Sequence, residues 1–167
     1  MAPRLDLVPL AGFAALMIAA AIVDVRQRII PNAIVAAVCL LWPLELAITR
    51  ATPLVTALES AAGAGIVLAA GALLFARGLL GGGDVKLLAA ASLWSGAAAL
   101  PALLMLTAVF GGVLALAALM PLALARLGGG GRSSELPPAA GTFAAPVPYG
   151  VAITAAALMV TIPIHFA

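Results

Sequence analysis

Charge is what this chain has least of: Asp, Glu, Lys and Arg make up 8% of its 167 residues, against 65% hydrophobic. With a mean hydropathy of +1.26, it lacks the polar surface to solvate a globular fold, which points to an integral membrane protein. Cysteine is nearly absent as well. Cys39 stands alone in an apolar run, so no intrachain disulfide and no multi-cysteine zinc site can form, and the residue reads as a small buried hydrophobe. No strand-length alternation of apolar and polar residues occurs, which argues against a membrane β-barrel. The net charge of +2 is small and scattered, leaving no basic patch for nucleic acid. No candidate motif for a metal, a cofactor or a nucleophilic serine is found.

Long hydrophobic runs fill the space that these absences leave. The bilayer core is about 30 Å thick, so each helical crossing needs ~20 mainly apolar residues with every backbone polar group satisfied internally. Leu7 to Val23 supplies a first span, read as retained and not as a cleaved signal peptide, because Asp6 weakens the basic n-region. Ala33 to Thr49, interrupted by Pro43 and carrying Glu45, supplies a second, and Leu54 to Ala76, with Glu59 near its start, a third. Leu87 to Ala125 carries no charge. As one helix it would be about 58 Å long, roughly twice the hydrocarbon thickness, so it must turn back. Ser95, Gly96 and Pro101 mark the expected reversal, with Pro101 suited to the first turn of a new helix, giving a short fourth span and a longer fifth. Residues 126–148 are polar and rich in glycine and proline and read as a flexible loop; Tyr149 to Phe166 makes a sixth span, with His165 expected at the interface and not as a ligand. The expected fold is all-α, a polytopic membrane bundle of about six helices in one domain, 1–167.

Basic residues orient the bundle. The loops after spans one, three and five hold Arg26, Arg28, Arg77, Lys86, Arg126 and Arg132, whereas the other side holds Arg4 and Arg50. By the positive-inside rule the first set faces the cytoplasm. Two acids emerge on that side: Asp24, in DVRQRIIPN, and Asp84, in GGGDVKLLAA. A carboxylate at the edge of hydrocarbon is costly and is by default a functional-site hypothesis. Only two crossings separate them, so a hairpin of spans two and three brings the start of span four back beside the end of span one. Two carboxyl groups within hydrogen-bond reach cannot both ionise easily and share a proton. Such a dyad can polarise a water against a peptide carbonyl and protonate the leaving amine. Each motif also has a plainer reading. Asp24 can be an interfacial charge balanced by Arg26 and Arg28, and Asp84 a helix cap after a glycine turn.

Taken together, the motifs resemble the type IV prepilin peptidases. DVRQRIIPN is similar to their first motif, GGGDVKLLAA to their G-x-G-D motif, shared more loosely with presenilin-type proteases, and Val147 to Ile153 (VPYGVAI) to the stretch that opens their last helix. The resemblance implies that Asp24 and Asp84 are the catalytic aspartates, that Gly81 and Gly83 form the turn, and that Pro31, Asn32 and Lys86 accompany them as substrate-binding or site-shaping residues. It implies an aspartic endopeptidase of the bacterial inner membrane, needing no cofactor or metal, that cuts the leader of prepilin or pseudopilin substrates at the cytoplasmic face. Larger members carry an insertion with paired CxxC motifs and methyltransferase activity. Here only Gln27 to Ile30 and their neighbours fill that position, so the resemblance is to the compact, peptidase-only branch of Flp/Tad-type pili. The alternative from another class is a non-catalytic membrane subunit, or an ion or proton carrier, using the same acids. Small residues, as in AAGAGIVLAAGA, permit close helix packing, within the chain or between two copies, the former being more economical.

Overall fold

The computed structural model describes residues 7–49, 54–127 and 147–166. Within them the chain forms a membrane-type bundle of five helices: α1 (Leu7–Gln27), α2 (Asn32–Thr49), α3 (Leu54–Ala76), α4 (Gly82–Leu127) and α5 (Tyr149–Phe166). Four are long and apolar enough to cross a membrane, and Asn32–Ile48 is a shorter apolar helix. Between helices in lipid there is little hydrophobic driving force, so close fit and polar ties decide the arrangement.

The fit is legible in burial stripes. On α1 the buried residues Leu10, Phe13, Met17, Ala20 and Asp24 recur at three- and four-residue steps, while Ile18, Ile22 and Val25 are exposed for lipid to cover. Asp24 is therefore the last member of the inward stripe, inside the helix and not beyond its end. On α3 the stripe is Ser60, Gly63, Ala64 and Val67, small residues that bring its backbone close to α4, the one helix it touches among the described residues. Helix α5 is buried on several faces and lies against α1 and α4. At the centre the Phe13 and Trp94 rings stack with centroids 4.5 Å apart, and the Trp94 indole N–H donates to the Val38 carbonyl at 3.1 Å, joining α1, α4 and α2.

Helix ends follow local chemistry. Helix α1 stops at Arg28, in the left-handed region at φ 55°, whose N–H still donates to the Asp24 carbonyl at 2.8 Å. Helix α3 ends in a Schellman motif: Gly78, at φ 71°, donates to the Phe75 carbonyl, and Leu79 to the Leu74 carbonyl.

Helix α4 is two rods. Gly96, at φ 73° and ψ 165°, interrupts it, in a region of backbone space that is essentially restricted to glycine. A straight helix would hold Gly111 about 40 Å from Asp84, yet the Tyr149 side chain lies against Gly111 and within the field of Asp84. The partners along α3 agree: Gly71 faces Val85, Ser60 faces Gly96, and Gly63 faces Leu100, so the chain descends along α3 and then climbs again. The reversal falls at Gly96, while Pro101 lies inside the following rod. The first rod, 82–95, is about 21 Å long, short of the ~30 Å hydrocarbon core. It begins at Gly82, a turn earlier than the apolar run alone indicates. Of the loop expected at 126–148, residues 126 and 127 are helical, 147 and 148 lead into α5, and 128–146 lie outside the described residues.

Candidate active site

Three chain segments converge at one end of the bundle. The first carries Asp24, only 6% exposed. A buried carboxylate is strongly disfavoured unless it is bonded. Its Oδ2 accepts the Gly150 N–H at 2.8 Å, a donor in the first turn of α5, where backbone N–H groups have no partner within the helix and the dipole is positive. Arg28 adds its positive field. Glycine is required at 150: a Cβ there would stand 2.8 Å from Asp24 Oδ2 and 3.1 Å from its Cβ and Cγ.

The second segment is the glycine turn. The Gly81 carbonyl accepts the Val85 N–H at 3.1 Å, making Gly81 the cap of α4, and the Asp84 carboxylate folds back onto the Gly81 N–H, as one half of a capping box does. A Cβ on Gly81 would meet Asp84 Oδ2 at 2.6 Å. Gly83 presses against the α1–α2 loop, where a Cβ would lie 3.1 Å from Ile30 Cβ and 3.5 Å from its backbone nitrogen. The two motifs thus touch through a glycine and a buried isoleucine. Lys86 Nζ donates to Asn32 Oδ1 at 3.1 Å, a second tie between them, on the exposed rim. Pro31 starts α2 by accepting the Ile34 N–H at 3.1 Å, so it shapes the loop.

Asp24 and Asp84 lie close enough that the charge of one acts on the other. Tyr149, beside Gly150, also lies within the electrostatic field of Asp84. The same end exposes Arg26, Arg28, Arg77 and Lys86. Among the described residues, no group of three or more His, Cys, Asp and Glu side chains gathers as metal ligands would. Chemically, the arrangement offers two carboxyl groups, one buried and one half-buried, each with a backbone N–H donor, of Gly150 and of Gly81.

Some contacts are invisible to local patterns. Gly150, Tyr149 and Gly111 belong to the site, and only the first two fall within a stretch that the sequence singles out. Thr154 donates to the Met17 carbonyl at 2.9 Å, docking α5 on α1 below Asp24. At the opposite end, about 20 Å along α2 from Asn32, His165 Nε2 lies 3.2 Å from Glu45 Oε1 and Nδ1 lies 2.9 Å from the Thr161 carbonyl. His165 is thus a tie between α5 and α2, more than a simple interfacial side chain.

A family model described as the type IV leader peptidase family matches residues 11–116, well over half of the chain. Both aspartates and the glycine turn fall inside the match, and α5 falls outside it. No curated protein and no solved structure matches.

Proposed function

This chain belongs to the type IV leader peptidase family, and from that premise we propose that it is an aspartic endopeptidase whose reacting groups are Asp24 and Asp84. A water held between one ionised and one protonated carboxyl gives its proton to the ionised group as its oxygen bonds to the scissile carbonyl carbon. The protonated carboxyl then transfers its proton to the amide nitrogen as the C–N bond breaks. The convergence of the two acids with the N-terminus of α5 carries this reading.

The substrate class is the leader of prepilins or pseudopilins, with the apolar helix of the substrate in the bilayer and its basic leader outside. Exposed Arg26, Arg28, Arg77 and Lys86 at the aspartate end support placing that end at the cytoplasmic face of a bacterial inner membrane. The short connection between α1 and α2 supports the compact, peptidase-only branch associated with Flp/Tad-type pili. Gly81 and Gly83 shape the turn, and Asn32, Pro31 and Lys86 hold the α1–α2 loop beside it.

A carrier reading would need a polar route from this site to the Glu45–His165 end. Between them stand the buried apolar side chains Phe13, Met17, Val38, Leu87, Ile153, Ala156 and Ala157, which argue against such a route.

The test is co-expression with candidate prepilins, with leader loss read by mass spectrometry. Asp24→Asn and Asp84→Asn each abolish cleavage while the protein still inserts in the membrane. Normal processing by both single variants refutes the proposal.

A further inference from the structure

The deep aspartate depends on one backbone N–H, and that N–H sits at the free end of a helix. A helix N-terminus is ordinarily the place where a chain frays. Something must hold α5 in place at this point. The residue before Gly150 is Tyr149, half-buried, and its ring lies in a notch on the returning rod of α4. The notch is Gly111: it is buried, and a Cβ there would clash with Cε2, Cζ and the hydroxyl oxygen of Tyr149. The adjacent glycine is different. Gly112 is exposed and a Cβ on it would meet nothing within 4 Å.

With Asp24 taken as a reacting carboxylate, as proposed above, we infer that Gly111 is a positioning residue of the peptidase: it seats the Tyr149 ring, and the seated ring fixes the Gly150 N–H on Asp24. The Gly96 reversal gains a purpose from this. By folding α4 back, it delivers a glycine to the level of the aspartates. Glycine recurs at three points around the pair, each for a different approach: Gly81 for Asp84, Gly150 for Asp24, and Gly111 for the aromatic ring that anchors Gly150.

The experiment uses the full-length enzyme reconstituted in liposomes with a prepilin substrate, comparing Gly111→Ala, Gly112→Ala and Gly111→Ala combined with Tyr149→Leu, with Asp24→Asn as reference. Gly111→Ala lowers kcat about tenfold or more, because small misplacements of reacting groups have effects of that size, and leaves KM within about twofold, because Gly111 is buried and faces Tyr149, away from the surface open to a substrate helix. Gly112→Ala keeps wild-type kcat. The double variant, with the ring replaced by a shorter side chain, is faster than Gly111→Ala alone; where Gly111→Ala fails to accumulate in the membrane, recovery of protein and activity in the double variant is the supporting result. Wild-type kcat in Gly111→Ala, equal losses in both glycine variants, or no recovery in the double variant overturns the inference. Should Asp24→Asn also cleave normally, the aspartyl reading itself fails; a dead Asp24→Asn beside a fully active Gly111→Ala removes only the role of Gly111.

Discussion

Replacing Gly150 with Ala sets two opposed effects against each other, and the structure says which one wins. In a helix interior alanine is favoured over glycine by about 0.8–1.0 kcal/mol, an upper bound for Gly150 in the first turn of α5, and on that ground alone the variant is more stable. Against this, the new methyl would stand 2.8 Å from Asp24 Oδ2 and 3.1 Å from Asp24 Cβ and Cγ. Backbone atoms on one side and a carboxylate on a buried helix face on the other leave no flexible end to yield, so α5 must move off Asp24. The 2.8 Å bond from the Gly150 N–H is then lost or stretched. With Asp24 as the ionised member of the pair, a hydrogen bond to it is worth about 1.5–3 kcal/mol, which exceeds the propensity gain. The net expectation is lower stability and, through displacement of the carboxyl proposed to react, a ten- to hundredfold slower cleavage. Leader removal followed by mass spectrometry gives the rate, and detergent-phase thermal melting gives the stability. Gly65→Ala is the matched control: Gly65 lies in α3, and a Cβ on it would meet nothing within 4 Å, so propensity acts there unopposed and stability holds or rises. A Gly150→Ala enzyme as stable and as fast as wild type refutes the geometry on which the site rests.

Two further outcomes follow from other contacts. Gly96→Ala forces a Cβ into φ 73°, ψ 165° and costs about 1–3 kcal/mol, seen as a lower melting midpoint; an unchanged midpoint means that α4 does not reverse there. Lys86→Met and Asn32→Ala each remove the 3.1 Å tie between the two motifs and lower stability by about 0.5–1.5 kcal/mol. Cleavage slows a few-fold without being lost, and the double variant loses no more than either single one. Strict additivity in that cycle shows that the two side chains do not act together.

Much of the bundle is written in the run lengths. Hydrocarbon thickness fixes the number of crossings, and α3 has the bounds that its apolar run predicts. The reversal within α4 was also required by length, but its place was not. Ser95, Gly96 and Pro101 all qualify as breakers, and choosing Gly96 takes knowledge of ψ, which only packing against Ser60 and the rest of α3 supplies. The two acids stand out in the sequence because ionisable groups are scarce here, and the fold brings them within each other's field. Their setting was less legible: Asp24 gives no sign in its own neighbourhood that its partner lies 126 residues away in Gly150, and His165 gives none that it meets Glu45 across 120 residues. Period and composition report local geometry, whereas these contacts come from how three helices cross.

The short rod of α4 links the fold to the depth of the proposed chemistry. Its 82–95 stretch falls about 9 Å short of the ~30 Å hydrocarbon core, so with Asp84 at one edge the Gly96 break lies inside the membrane. Non-helical backbone at that depth is tolerated only where protein covers it. Here the cover is present: Ser60, Ser92 and Ser95 are all buried around the break, and each hydroxyl is satisfied by a helix carbonyl, of Thr56, Leu88 and Ser92 respectively. Helix α3, small-faced and packed among the described residues on α4 alone, therefore backs the break. Weakening that face, as by Gly63→Leu against Leu100, would open the break to lipid while leaving both aspartates and their backbone donors untouched. The fold thus separates two turns along the same helix, one at Asp84 with its half-buried carboxyl and one at Gly96 backed by buried serines, and the length of one short rod sets the distance between them.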